Sequence, residues 1–105
     1  MTDRELLQFA AKAAGIEFSW LGRGARLDRK PGVMQPYVPW NPLEDDGDAL
    51  RLAVELKLEL RFSTRDIMVH QGFKDCQVSV YGADSYAATR RIITLAAAEI
   101  GKAMP

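Results

Sequence analysis

Between residues 58 and 81 the chain alternates apolar and polar residues in three successive runs, with only a few residues separating each run from the next. Leu58, Leu60 and Phe62 alternate with Glu59, Arg61 and Ser63. Ile67 and Val69 alternate with Met68 and His70, and Cys76, Val78 and Val80 with Gln77, Ser79 and Tyr81. A period of two sends every second side chain to one face of a strand. Thr64, Arg65 and Asp66 supply one turn, and residues 72–75 the other. Strands joined this closely pair antiparallel, because a parallel neighbour needs a crossover of about a dozen residues or more. The three runs therefore dictate an antiparallel meander with one apolar face, which needs a cover.

Three helical patterns offer that cover. Thr2 and Glu5 have the spacing of a capping box, Leu6, Phe9, Ala10 and Ala13 follow at helical intervals, and Gly15 supplies a stop. Ile16, Phe18 and Trp20 then alternate with Glu17 and Ser19 as a short strand. Asn41 before Pro42, with Glu44 three residues on, reads as a helix entry; the helix itself starts at Asp45 or Asp46 and runs to about Lys57. Its inward face is expected to hold Leu50, Ala53 and Val54, widened by Leu52 and Leu56, with Arg51 and Glu55 toward solvent. The last helix spans 85–104, capped by Asp84 or Ser85. Tyr86, Ile93, Ala97, Ile100 and Met104 form its stripe, Ala96 lies beside them, and Arg91 and Lys102 lie opposite. Ile93 and Ile100 are expected to be deeply buried.

The resulting order, α-β-loop-α-β-β-β-α, is an α+β fold: a mainly antiparallel sheet of about four strands packed with three helices, sandwich-like. At 105 residues the chain has room for one domain, 1–105.

Residues 22–39 break both periods. Gly22, Gly24, Pro31, Gly32, Pro36 and Pro39 interrupt them, and Arg23, Arg26, Arg29 and Lys30 make the segment basic. A long irregular loop in a small domain is either a solvated excursion or a binding element. Trp20, Tyr37 and Trp40 flank or lie in it, and aromatics interleaved with cations can stack bases and contact phosphates. The same two tryptophans can instead pack beneath the loop as core. Arg23, Arg26, Arg29, Lys30 and Tyr37 are the candidate partner-binding residues.

Charge and chemistry narrow the function. Fourteen Lys and Arg balance fourteen Asp and Glu, so the net charge is zero. That balance argues against coating DNA or an anionic membrane and leaves self-association into a homodimer open. Cys76 is the single cysteine, which excludes an intramolecular disulfide and suits a reducing compartment. No apolar run reaches membrane-spanning length, and no apolar segment follows the N-terminus as in a signal peptide, so a cytoplasmic location is expected. Glu44, Asp45, Asp46 and Asp48 are candidate ligands for a hard cation. Their spacing fails the EF-hand pattern, however, and carboxylates at a helix start are stabilised by the helix dipole. His70 and Cys76, six positions apart, would need hydrogen-bond contact and an orienting third group to act as a nucleophilic pair, whereas Cys76 has the period of Val78 and Val80 and reads as a small core residue. No phosphate loop, dinucleotide fingerprint, HExxH or GxSxG run occurs. The expectation is a protein without catalytic residues, cofactor or metal.

Two stretches carry a family resemblance. Residues 40–54, WNPLEDDGDALRLAV, are similar to a run in small tailed-phage and prophage proteins. Tyr86-Ala87-Ala88-Thr89-Arg90-Arg91 with Ala96-Ala97-Ala98-Glu99-Ile100-Gly101 resembles their C-terminus. These proteins have an α-β-α (ABA) sandwich domain, and the family has no established activity, so no site residue carries over. The resemblance implies a phage- or prophage-encoded accessory protein in the bacterial host's cytoplasm, acting by binding a host or phage protein. The alternative is small-ligand or nucleic-acid binding through the basic loop 22–30. A sandwich covers both sheet faces, whereas Glu59, Arg61, Gln77 and Ser79 alternate as if one face were wet. Partial cover, or burial of that face in a dimer, reconciles the two.

Overall fold

In a computed structural model, the structure describes residues 2–16, 18–19, 25–27, 37–71, 74–79 and 84–105. α1 (Asp3–Ala14) begins at the expected box: the Thr2 hydroxyl accepts from the Glu5 amide at 3.2 Å, and the Glu5 carboxylate accepts from the Thr2 amide. It ends at Gly15, whose φ of 71° is the left-handed conformation that closes a helix without a Cβ clash. Leu6, Leu7, Ala10 and Ala11 are buried, while Phe9 and Ala13 are only half-buried. The inner face is therefore turned slightly from the expected stripe, toward the side where alanines permit close approach.

Three very short strands follow: β1 (Phe18–Ser19), β2 (Ala25–Leu27) and β3 (Tyr37–Pro39), in an antiparallel sheet of order β1-β2-β3. Arg26 stands opposite both Phe18 and Val38, and Leu27 opposite Tyr37. The segment expected to be irregular thus carries two strands, too short to show a period of two. Pro39 is tolerated because β3 is an edge of this sheet, where a missing N–H breaks no ladder bond. Trp20, Arg23, Arg29 and Lys30 lie outside the described residues.

α2 (Asp46–Glu55) is capped by Asp45, whose carboxylate accepts from the Asp48 amide at 2.7 Å. It stops before Lys57, which has φ 55°. There the Lys57 amide returns to the Val54 carbonyl and the Leu58 amide to the Ala53 carbonyl, at 3.2 and 2.9 Å. This paired closure ends the helix two residues earlier than its apolar pattern suggests. β4 (Glu59–Phe62), β5 (Asp66–Gln71) and β6 (Lys74–Ser79) form the expected antiparallel meander, with Leu60 opposite Val69, Phe62 opposite Ile67, and Val69 opposite Cys76. Ser63 locks the first turn, its hydroxyl donating to the Asp66 carboxylate at 2.8 Å. Among the described residues the strands make two sheets of three, in place of one sheet of about four.

α3 (Ser85–Ala103) is capped by Asp84, whose carboxylate accepts from the Tyr86 amide at 2.9 Å. It packs on α1, α2, β5 and β6 and so organises the core. Ile92, Ile93, Ala96 and Ala97 are buried there with Leu7, Leu52, Ile67 and Val69. Trp40 joins this core, the second of the two roles its position allowed. Close packing against α1 is set by Gly101, where an added Cβ would overlap the Phe9 backbone carbonyl. The expected stripe fails at its ends: Tyr86 and Met104 are exposed and Ile100 is half-buried, because the inward face is centred on Ile92, Ile93, Ala96, Ala97 and Gly101.

Candidate functional site

The acidic run at the start of α2 is a brace for the chain that enters it. Asp48 is 7% exposed, and its carboxylate accepts from the Asn41 amide at 3.0 Å and from the Arg51 guanidinium at 2.8 Å. Arg51 also reaches Asp45, the cap, at 3.7 Å. From α3, Arg90 donates to the Leu43 carbonyl at 3.1 Å and to Asp46 at 2.7 Å. The Asn41 side chain accepts from the Leu43 amide. Asp45, Asp46 and Asp48 thus hold turn 41–45 against α2 and α3, and Glu44 points to solvent. Among the described residues no group of three or more His, Cys, Asp or Glu is placed to hold a metal ion.

The other sequence candidates are dispersed. His70 faces Glu59 on one neighbouring strand and Asp75 on the other, while Cys76 is in register with Val69. Arg26 and Tyr37 lie on adjacent strands of the first sheet, one position out of register.

An apolar strip that sequence reasoning placed inside lies on the surface. Leu50 and Val54 are one turn apart on the outer side of α2 and are 60% and 68% exposed. The buried side of α2 carries Asp48, Ala49, Leu52 and Ala53 instead. Ala49 and Ala53 let the helix approach α3 closely, and this turns Leu50 and Val54 outward. Phe62 on β4 and Tyr86 on α3 are also exposed, at 65% and 73%. Leu50, Leu60, Phe62 and Tyr86 line a groove of about 550 Å³ floored by Ala49 and Ile93. The Asp46–Arg90 ion pair borders this groove. A second hollow of about 430 Å³ shares Leu50 and runs past Val54 to Trp40 and Ile16. The signal was legible in principle: α2 carries Leu50, Leu52, Ala53 and Val54 in five positions, more apolar residues than one helix face can bury.

Fold and site together define the class: an α+β protein with two small antiparallel sheets, a long organising helix and an apolar strip crossing α2, β4 and α3. No family model, no curated protein and no solved structure matches the chain. Among the described residues no helix is long and apolar enough to cross a membrane.

Proposed function

We propose that this chain is a binding protein that docks another protein on the strip formed by Leu50, Val54, Phe62 and Tyr86. The observation that carries the reading is their joint exposure along two connected hollows. Burying one such side chain is worth ~1.5–3 kcal/mol, so four of them left in water form an attractive surface for a partner. Contiguous apolar patches rimmed by polar groups mark interaction sites, and Asp46 and Arg90 provide that rim. The resemblance of residues 40–54, 86–91 and 96–101 to phage proteins supports a phage or prophage origin, hence a host or phage protein as partner, met in the bacterial cytoplasm. No chemical step enters this reading.

Capture from bacterial lysate tests it. The immobilised chain is expected to retain a discrete protein, and the double variant Leu50→Ser/Val54→Ser is expected to lose it while keeping the parent's melting temperature. Retention of nothing by the parent, or equal retention by the variant, contradicts the reading.

A further inference from the structure

We infer that the β4 end of the strip is closed by a second copy of this chain, through antiparallel pairing of β4 with β4 of the partner subunit. Among the described residues β4 is the edge of its sheet: it pairs with β5 on one side and with no described strand on the other. An open edge is a template for another strand. The inference rests on reading the strip as a docking surface, and it names what covers one end.

The residues of β4 select the partner. Antiparallel pairing centred on Leu60 sets Leu60 against Leu60 of the partner subunit. Glu59 then faces Arg61 of the partner subunit, and Arg61 faces Glu59 of the partner subunit. The same register sets Phe62 against Leu58 of the partner subunit. Each charged residue thus meets its opposite, twice, as a two-fold interface requires. Glu59 and Arg61 have exposed side chains and share one face of the strand; within one chain they approach only to 3.7 Å. The other face carries Leu60 and Phe62 beside the buried Ile67 and Val69. A two-fold axis through such a pair stands perpendicular to the joined sheet and keeps both apolar faces on the same side. The two grooves lined by Leu50, Phe62 and Tyr86 then lie beside one axis, so a single association pairs the strand edges and covers both grooves. The zero net charge of the chain opposes this association with no overall repulsion.

Sedimentation equilibrium on the parent, Glu59→Arg, Arg61→Glu and an equimolar mixture of the two variants tests the pairing. The parent is expected to form a concentration-dependent dimer. Each single variant sets like charges opposite each other at both pairs and is expected to dissociate roughly tenfold more readily. The mixture restores opposite charges at both positions and is expected to form a heterodimer about as tight as the parent. Both substitutions are at exposed positions, so unchanged circular dichroism and melting confirm the fold. A parent that stays monomeric at its highest soluble concentration overturns the inference. So does a dimer indifferent to either charge reversal, or a mixture no tighter than its components. A monomer that still captures a lysate protein through Leu50 and Val54 overturns self-pairing and leaves the docking reading standing. Charge-rescued dimerisation without any captured protein upholds self-pairing and removes the second-protein reading.

Discussion

Asp48 and Gly101 show how single positions hold this molecule together. Asp48 is nearly buried, and its two oxygens satisfy the Asn41 amide and the Arg51 guanidinium. Asp48→Ala strips both donors of their acceptor; a half-buried amide left unpaired costs ~1–3 kcal/mol, and Arg51, largely exposed, recovers part of its loss in water. Urea denaturation of this variant should show a lower midpoint with an unchanged slope. At Gly101 the constraint is steric. A Cβ there would sit on the Phe9 carbonyl oxygen, with the carbonyl carbon 2.7 Å away, and backbone cannot step aside as a flexible side chain would. Gly101→Ala is therefore expected to destabilise by about 3 kcal/mol despite the better helix propensity of alanine. A melting temperature equal to the parent's would show that α1 and α3 are not packed this closely.

At the scale of elements the sharpest contrast is on α2. Leu52 is buried and Leu50 exposed, although both are leucines two positions apart. Leu52→Ala should cost about 2–5 kcal/mol through the cavity it leaves. Leu50→Ala should change stability by less than about 0.5 kcal/mol. Thermal melts of the pair decide whether Leu50 is inward, and a cost at Leu50 as large as that at Leu52 would restore the wider inward face expected from the sequence. That face was misread for a physical reason: apolar residues crowd α2 all round, and the choice fell to Ala49 and Ala53, whose small size admits α3. Local chemistry was far more legible. Thr2, Glu5 and Gly15 bound α1 as their capping roles require, Asp84 caps α3, and the alternation over 58–79 became the expected antiparallel meander. β2 and β3 stayed hidden because three residues flanked by Gly and Pro show no period. The acidic run was legible as a helix entry, yet the reach of Arg90 across 44 positions to Asp46 is tertiary and leaves no local mark. The crowding of Leu50, Leu52, Ala53 and Val54 on α2 signalled a surplus of apolar residues, but which of them face outward depends on what packs where.

For the whole molecule, the α+β fold keeps the wet alternation expected on β4. α3 draws α1, α2, β5 and β6 together, while Glu59 and Arg61 remain on the exposed side of the edge strand. Leu50, Val54, Phe62 and Tyr86 come from three different elements and share one surface, so their apolar character follows from the assembled fold and serves none of its internal packing. The central claim is that this surface is where the protein meets other proteins. Site-specific photo-crosslinking in bacterial cells tests it most directly, with a photoreactive residue placed at Leu50, Val54, Phe62 or Tyr86 and, as exposed controls, at Arg65 or Lys102. Defined covalent adducts, to a second copy or to another protein, should form from the four strip positions and be absent from the two controls. Adducts of equal yield from the controls, or none from the strip, would contradict the claim.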